Sequence, residues 1–253
     1  MGPDEGLDKQ TFYDAADLAA TGRWRDVARS PFALKVVESV LRRIHKRHFV
    51  GRRNTVEWVD VGCGLGGTYE VSRVLGFRYL GLDRAERHIA YCRERYPEGR
   101  FERVDWCDYR GECDLVSFIS SLHHFEDWRG ALARAFAALR PGGVVLVDHE
   151  PCRLYARLFR FYAVHLRRVD PEVVGQVEVH WLREPSILPR ELPKGEIEYH
   201  FDYFPVLGRL RLRTRNRFLG HFFQAYRKVM RKGAELGWGP PPETRGDGLE
   251  AEP

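Results

Sequence analysis

The sequence predicts an α/β protein built on a doubly wound, mostly parallel sheet. Short apolar runs typical of buried parallel strands alternate with longer segments of helical spacing. One such run, residues 57–61, leads directly into a glycine-rich turn and then into a helix, an arrangement shared by several kinds of nucleotide site. The chain of 253 residues is long enough for one domain of this class with additions.

The turn after this strand indicates the kind of ligand. Gly62, Gly64 and Gly66 allow the backbone to turn tightly against a bound molecule. Asp60 lies two residues before the first glycine, where its carboxylate is expected to face a cationic group. The second strand ends at Asp83, about 20 residues after the loop, where an acidic side chain accepts hydrogen bonds from ribose hydroxyls. The glycine spacing fits the dinucleotide fingerprint poorly, so we expect a positively charged ligand that contains a ribose.

The segments around the loop continue the α/β pattern. Residues 10–50 have helical spacing, and Ser30-Pro31 is a capped helix start with proline in the first turn. The sequence predicts further helices and strands in alternation up to residue 150. The helices are expected at 68–75, 84–96 and 127–140, with Asp127 as a cap and a stop at the following Pro-Gly-Gly, and the strands at 101–106, 113–120 and 144–150.

The fourth and fifth strands deliver polar side chains to the carboxyl edge of the sheet, which is where ligands bind in open α/β sheets. We expect this edge to face the reacting group, and two histidines are the candidate catalytic residues, His123 before His149. The neighbouring side chains at the same strand ends are further candidates: Ser120, Ser121, Leu122, His124, Asp148 and Glu150.

The chain beyond residue 151 is basic and aromatic. Residues 153–168 predict an amphipathic helix that covers the active site, lies on an anionic membrane, or packs on the core with its arginines in solvent. Alternating residues predict strands at 176–182 and 196–204. In the second of these strands, Glu198, His200 and Asp202 share the face opposite the aromatic residues.

The last predicted elements are a strand and a helix. Residues 209–217 would align five arginines on one face if extended throughout, as a guarded sheet edge or an anion-binding stripe. Residues 216–233 have aromatic side chains at helical spacing and predict a closing helix. The proline-rich, acidic residues 239–253 predict a disordered tail.

Five segments in order resemble the class I S-adenosylmethionine-dependent methyltransferases with a type 11/25-like core. They are VDVGCGLGG, GLD ending at Asp83, RVDWCD, CDLVSFISSLHHF and LRPGGVVLVDHEP, over roughly residues 55–151. The resemblance implies a Rossmann-like, seven-stranded sheet with an antiparallel last strand, and S-adenosyl-L-methionine as cofactor. The residues that it implies at the cofactor are Asp60, Gly62, Gly64, Gly66, Asp83, Arg84, Asp105, Trp106 and Ser120.

Two of these family roles have plainer alternatives. Asp105 would face the adenine amino group and the backbone of Trp106 would read the ring, but Asp105 also suits a turn. An aromatic residue near the amino end closes over the cofactor in relatives, which makes Phe12 and Tyr13 lid candidates or simple packing residues.

The domain organisation follows from these segments. We expect a helical cap at residues 1–50, a cofactor-binding core at 51–151, and a substrate-covering insert with closing elements at 152–238, all in one domain before the tail. No apolar run reaches the length of a membrane span and no signal sequence is visible, so we expect a cytoplasmic protein.

Charge and cysteine content restrict the ligands. Residues 153–232 carry 17 Lys and Arg against eight Asp and Glu, which suggests an anionic substrate, a membrane surface, nucleic acid or merely a solvated basic face. The five cysteines form no CxxC pair, so we expect free thiols. Cys107, Cys113, His123 and His124 match no standard metal spacing, and we expect no metal site.

Three functions remain open. The favoured one is methyl transfer to an oxygen or nitrogen of a small-molecule or lipid-like metabolite, because the aromatic insert could wall off a pocket. An RNA methyltransferase would use the basic face, but no RNA-binding module and no NPPY-type motif is present. A non-catalytic cofactor-binding interaction protein is the third. The sequence does not decide the oligomeric state.

Overall fold

The structure is a computed structural model that describes residues 31–52, 54–161, 187, 189–201 and 212–233. The strands in these ranges are β1 Glu57–Val61, β2 Arg78–Asp83, β3 Phe101–Arg103, β4 Cys113–Ile119, β5 Leu139–Pro151, β6 Glu196–His200, β7 Arg213–Thr214 and β8 Ala225–Arg231. The α-helices are α1 Pro31–His48, α2 Thr68–Leu75, α3 Glu86–Arg95, α4 Trp128–Ala138, α5 Arg153–Phe161 and α6 Arg217–Gly220. Short 3₁₀ helices lie at Trp106–Asp108 and Leu122–His124.

All eight strands of the described ranges form one sheet, in the order β3–β2–β1–β4–β5–β8–β6–β7. Strands β1 to β5 are parallel, whereas β8 runs antiparallel to both β5 and β6, and β7 runs antiparallel to β6. The expected α/β class, with a mostly parallel sheet and an antiparallel edge region, is confirmed. The described part of the sheet has one strand more than the seven expected.

Helices cover both faces of the sheet, which makes the fold doubly wound. On one face, apolar residues of α1, α2 and α3 pack with Trp58, Leu115 and Leu146 of the central strands. On the other, α4 packs with Val116 and Val145. The central strands β1 and β4 are buried on both faces because both layers exclude water from them.

Helix α1 begins at Pro31, as expected for a proline in the first turn of a helix. Val37, Val40, Leu41 and Ile44 recur at the three- and four-residue spacing of one helix face, and all four are buried against the sheet. The basic residues of its last turn complement the helix dipole.

The prediction of a closing helix at 216–233 is wrong. Only the short helix α6 forms there, and residues 225–231 form strand β8 between β5 and β6. A strand in this position hydrogen-bonds on both sides and buries alternate side chains on both faces. The stabilisation from these contacts decides for the strand over the helix that the residue spacing predicted. For a short apolar segment, periodicity alone cannot distinguish a helix from a strand. His200, expected on the face opposite the aromatic residues, is fully buried.

Smaller differences concern element ends. Helix α4 stops at Ala138, before the Pro-Gly-Gly, because Leu139 already pairs with Cys113 in the sheet. The third strand ends at Arg103 instead of residue 106. Val74 of α2 is half exposed, whereas Val71 and Leu75 of the same helix are buried.

The aligned arginine stripe is not formed as a single extended face. Arg213 lies in the edge strand β7, whereas Arg217 lies in α6. The arginines at 209 and 211 fall outside the described residues. So do the lid candidates Phe12 and Tyr13, the strand expected at 176–182 and the expected tail.

Two further findings concern the described ranges. All five cysteines are free, as expected. No helix described there combines the length and the apolar character that crossing a bilayer requires.

We predict that Tyr226→Ala destabilises the fold by about 3–5 kcal/mol, because the fully buried ring and its hydrogen bond to the Ile187 carbonyl are lost together. Phe222→Ala is the matched control, because its ring is 61% exposed and should change stability by no more than about 0.5 kcal/mol. Urea denaturation measures both. An equal loss of unfolding free energy in the two variants would fit a helix in this segment, which puts both rings on one face. It would contradict the strand β8.

Candidate active site

The glycine loop after β1 is closed on one side and open on the other. Gly62, Gly64 and Gly66 all have positive φ angles, of 71°, 53° and 72°. A Cβ on Gly66 would lie 2.9 Å from Cys92 Sγ and from Phe101 Cε1, so only glycine fits there. A Cβ on Gly64 would meet no atom within 4 Å. The loop therefore rests on packed side chains at Gly66 and borders open space at Gly64.

Asp83, at the end of β2, holds this loop in place. Its Oδ2 accepts a hydrogen bond from the Gly64 N–H at 2.9 Å, and its Oδ1 accepts one from the Ala85 N–H at 2.9 Å. His88 Nδ1 lies 3.5 Å from Oδ1. A carboxylate offers about four acceptor positions, so Asp83 retains capacity for hydroxyl donors beside the open loop.

Asp60 is buried beneath the loop, where hydroxyl groups from three elements donate to it. Its Oδ2 accepts hydrogen bonds from Thr68 of α2 at 2.6 Å and from Tyr79 of β2 at 3.1 Å. Its Oδ1 accepts one from Ser117 of β4 at 2.5 Å, and Ser117 in turn accepts one from the Trp58 indole. Burial raises the pKa of Asp60 to about 6, although these hydrogen bonds lower it. This geometry gives Asp60 a structural task, and its contact with a cationic ligand group stays a prediction.

The residues expected near an adenine ring lie on the other side of Asp83. Asp105 caps the 3₁₀ helix, because its Oδ1 accepts a hydrogen bond from the Cys107 N–H, and its Oδ2 lies 3.3 Å from Arg84 Nε. Trp106 is buried, and its indole donates to the Ala131 carbonyl. The turn-forming role of Asp105 is thus present, and the adenine contacts stay predictions.

His123 and Glu150 form a buried pair at the carboxyl edge. His123 Nδ1 lies 3.0 Å from Glu150 Oε2, and Glu150 Oε1 accepts a hydrogen bond from the Leu122 N–H at 3.1 Å. The same carboxylate therefore fixes the 3₁₀ turn and orients the imidazole. If Nδ1 carries the proton, Nε2 is the nitrogen that can act as a base. Ser120, with a φ of 54°, begins this turn and donates its N–H to the Asp148 carbonyl at 2.8 Å.

His149 belongs to a second buried cluster. Its Nδ1 lies 3.1 Å from Asp148 Oδ1, and His200 Nε2 lies 3.4 Å from the same oxygen. Arg227 Nε lies 3.0 Å from Asp148 Oδ2, and Arg227 Nη1 donates to Glu198 at 2.8 Å. Burial alone would raise the pKa of Asp148, but Arg227 and the histidines hold it well below its usual range. Burial lowers the pKa of His149, against the opposing effect of Asp148.

The structure thus brings the predicted site residues together in separate groups. Gly64 meets Asp83, Arg84 meets Asp105, and Ser120 meets the strand that carries His149. Sequence reasoning missed the hydroxyl partners of Asp60, and it missed His200 and Arg227 as partners of Asp148. No local pattern could have found the latter two, because they come from strands far along the chain. The polar residues within otherwise apolar runs, Ser117 and Tyr79, were a signal for the former.

Two solved structures with similar folds are those of methyltransferases. The plantazolicin methyltransferase BpumL, solved with S-adenosylhomocysteine and a substrate analogue, matches with a TM-score of 0.61 and 15% identity, over 88% of this chain and 94% of that one. The magnesium protoporphyrin IX methyltransferase of Synechocystis PCC 6803, solved with S-adenosylhomocysteine, matches with a TM-score of 0.56 and 12% identity, over 88% and 97%. These likenesses show the fold.

Curated relatives match the core of the chain. Trans-aconitate 2-methyltransferase of Variovorax paradoxus is 36% identical over 123 residues, which are 45% of this chain and 46% of that protein. The ubiquinone biosynthesis O-methyltransferase of Bradyrhizobium is 30% identical over 96 residues, 36% of this chain and 38% of that protein. The chain spans less than half the length of the first curated relatives it matches.

We predict that Asp60→Asn changes how stability depends on pH. The pKa of Asp60 is raised from 3.8 to about 6, so its contribution to stability is full below about pH 4 and is lost as the pH rises through 6. A shift of about two pKa units corresponds to about 3 kcal/mol. The unfolding free energy of the parent, relative to that of the variant, should therefore fall by about this amount between pH 4 and 7.

Urea denaturation at several pH values measures this difference. Asp108→Asn is the control, because Asp108 is exposed and its substitution should leave the pH profile nearly unchanged. Profiles of parent and Asp60→Asn that run parallel from pH 4 to 7 would contradict the prediction.

The family assignment rests on both the site and the sequence. The open glycine loop and the remaining acceptor capacity of Asp83 fit a ribose-containing cofactor. A family model described as a methyltransferase domain matches residues 33–172, which is more than half of the chain. The chain therefore belongs to the class I S-adenosylmethionine-dependent methyltransferases, a family whose cofactor is S-adenosyl-L-methionine.

Proposed function

We propose that this methyltransferase transfers its methyl group to an oxygen of a small acceptor that carries an anionic group. The observation that carries the proposal is the buried His123–Glu150 pair at the carboxyl edge, beside the strand ends that bound the cofactor loop. S-adenosyl-L-methionine supplies an activated methyl group on a sulfonium when it is bound. The protein's part is to hold the acceptor in line with that group and to take up a proton from it.

The cofactor contacts in this proposal come from the loop and two strand ends. Gly62, Gly64 and Gly66 provide the close backbone approach, and Asp83 accepts hydrogen bonds from the ribose hydroxyls. Asp60 contributes by holding α2 against β2 and β4 beneath the loop. The adenine end falls to Arg84, Asp105 and Trp106, and the reacting end borders Ser120.

His123 is the proposed general base. In the proposed tautomer Glu150 accepts a hydrogen bond from the Nδ1–H of His123, which leaves the lone pair on Nε2 for the acceptor hydroxyl. The buried carboxylate also stabilises the imidazolium that forms after proton uptake. A carboxylate acceptor would need no base, and proximity alone would then drive the transfer.

A groove between α1 and the β6–β8 pair supports the proposal that the acceptor carries an anionic group. It encloses about 250 Å³ and is lined by Arg43, Arg47, Arg215 and Arg227, against only Glu196 and Glu198 among acidic residues. The excess of arginine favours carboxylates and phosphates, which guanidinium groups bind through paired hydrogen bonds. Arg227 lines the groove and also pairs with Asp148, which connects the groove to the carboxyl edge.

The relatives agree with this acceptor class. Several that match the core are trans-aconitate 2-methyltransferases, and trans-aconitate is an organic acid. The match covers the cofactor core and less than half of those proteins. It therefore supports a small acidic acceptor without identifying it.

A direct test has two stages. Calorimetric titration with S-adenosylmethionine, S-adenosylhomocysteine and NAD should show micromolar binding of the two sulfur nucleotides and no binding of NAD. S-adenosylhomocysteine release is then measured with trans-aconitate and other organic acids, phenolic acids, their neutral amides and esters, amines and RNA. Turnover with acids and none with their neutral counterparts is expected. Turnover with RNA or with neutral amines alone would refute the acceptor class.

We predict that Asp83→Ala weakens S-adenosylmethionine binding by about 100-fold, because two charge-assisted hydrogen bonds to the ribose and one to the loop are lost. Calorimetric titration measures the affinity, and far-UV circular dichroism checks that the fold is retained. Glu86→Ala, an exposed carboxylate three residues further along, is the control and should bind as the parent does. An unchanged affinity of Asp83→Ala would rule out the ribose contact.

We predict that His123→Ala lowers turnover of a hydroxyl acceptor by about 100-fold, the usual contribution of a positioned base, while S-adenosylmethionine affinity is retained. His124→Ala is the matched control, because the adjacent ring is less buried than that of His123. Equal turnover of the His123 variant and the parent would mean that proximity alone drives the reaction.

A further inference from the structure

We propose that Asp148, His149 and His200 bind a divalent transition-metal ion of the kind that accepts mixed nitrogen and oxygen ligands, such as Zn²⁺. One ligand atom from each side chain lies within 4.8 Å of the other two, and all three residues are buried. His149 Nδ1 and His200 Nε2 lie 3.1 and 3.4 Å from the same Asp148 oxygen. Bonds of about 2.0–2.1 Å to one tetrahedral ion place neighbouring ligand atoms roughly 3 Å apart. Two of the three distances between these atoms thus already match the spacing of ligands to a single ion, and the third is within 4.8 Å.

The backbone of β5 is adapted to bring two adjacent residues to one point. In a regular strand, Asp148 and His149 would point to opposite faces of the sheet. Here the pairing with β8 shifts register between Val147 and Glu150, and His149 has a φ of 58°. A non-glycine residue in this region is strained, and such strain concentrates at functional sites. The irregularity allows both side chains to converge with His200 from β6.

The Asp148 carboxylate is oriented by an ion pair and hydrogen bonds, as metal-binding carboxylates are. Arg227 Nε lies 3.0 Å from Asp148 Oδ2, and Glu198 in turn accepts a hydrogen bond from Arg227 at 2.8 Å. The His149 backbone N–H also donates to Oδ1 at 2.7 Å. Outer contacts of this kind fix the direction of a ligand and are part of most metal sites.

The ligand set decides the class of ion. Two imidazoles and one carboxylate suit zinc and its neighbours in the first transition row rather than magnesium or calcium, which prefer oxygen ligands. Three protein ligands leave a coordination position for water or for an oxygen of another molecule. The proposal departs from the expectation of no metal site, which was based on local spacing along the chain, because His200 is distant in sequence.

The position suggests a use for the ion. The Asp148 carbonyl accepts the Ser120 N–H at 2.8 Å, so the cluster adjoins the strand end that leads to His123. An ion there can hold an oxygen of the acceptor, and a metal-bound His149 is no longer available as a base. This use rests on the proposed function, whereas metal binding itself does not.

Metal binding is tested on the full chain, without a methylation assay. After treatment with EDTA and dialysis, the protein is titrated calorimetrically with Zn²⁺ and, separately, with Co²⁺ while visible absorption is recorded. One Zn²⁺ per chain with a micromolar or lower Kd, and a Co²⁺ spectrum typical of mixed nitrogen and oxygen ligation, are expected. A parent protein that binds no ion under these conditions would overturn the proposal and leave a metal-free ion-pair network.

Variants locate the site. His200→Asn and His149→Asn should each weaken Zn²⁺ binding by at least about 100-fold, and asparagine tolerates the positive φ of position 149. His221→Asn removes an exposed histidine and should bind Zn²⁺ as the parent does. Unchanged Zn²⁺ binding in the His200 variant would overturn the proposal. S-adenosylmethionine titration of each variant confirms folding and reports separately on the cofactor site.

Discussion

The buried carboxylate of Asp60 ties three elements of the fold to the strand that carries it. Three hydroxyls, from α2, β2 and β4, converge on it. Removing a carboxylate from water is costly unless its oxygens are hydrogen-bonded, so the three elements must keep their relative positions for the charge to be tolerated. The glycine loop connects β1, which carries Asp60, to α2. Its shape therefore depends on a polar contact beneath it as well as on its glycines.

The part of the fold from β1 to β5 could be predicted because the sequence patterns that indicate its elements are local. The first strand, the loop and α2 follow one another directly, and Asp83 closes the next strand. Backbone preference and apolar runs suffice for such a segment. The same locality let the carboxyl edge be found, because parallel strands that end in polar residues must place them together.

The part of the sheet formed by β6 and β8 could not be predicted from local patterns. The segment 225–231 carries residues that suit either a helix or a strand, and its place between β5 and β6 decides in favour of the strand. The partners of Asp148 follow from that placement, since Arg227 and His200 reach it only once β8 and β6 are in register. A hydroxyl or guanidinium that meets its partner across several strands leaves no trace in spacing along the chain.

The position of β8 also affects how the chain folds while it is being synthesised. Within the described ranges, β6 pairs with β7 and β8 and has no contact of its own with β5 in the sheet. While a nascent chain leaves the ribosome, β1 to β5 can assemble, but the edge of β5 stays open until residue 231 has emerged. An unpaired edge of this apolar kind is where nascent chains associate wrongly. Among the described strands, the last to be made is thus the one that joins the two parts of the sheet.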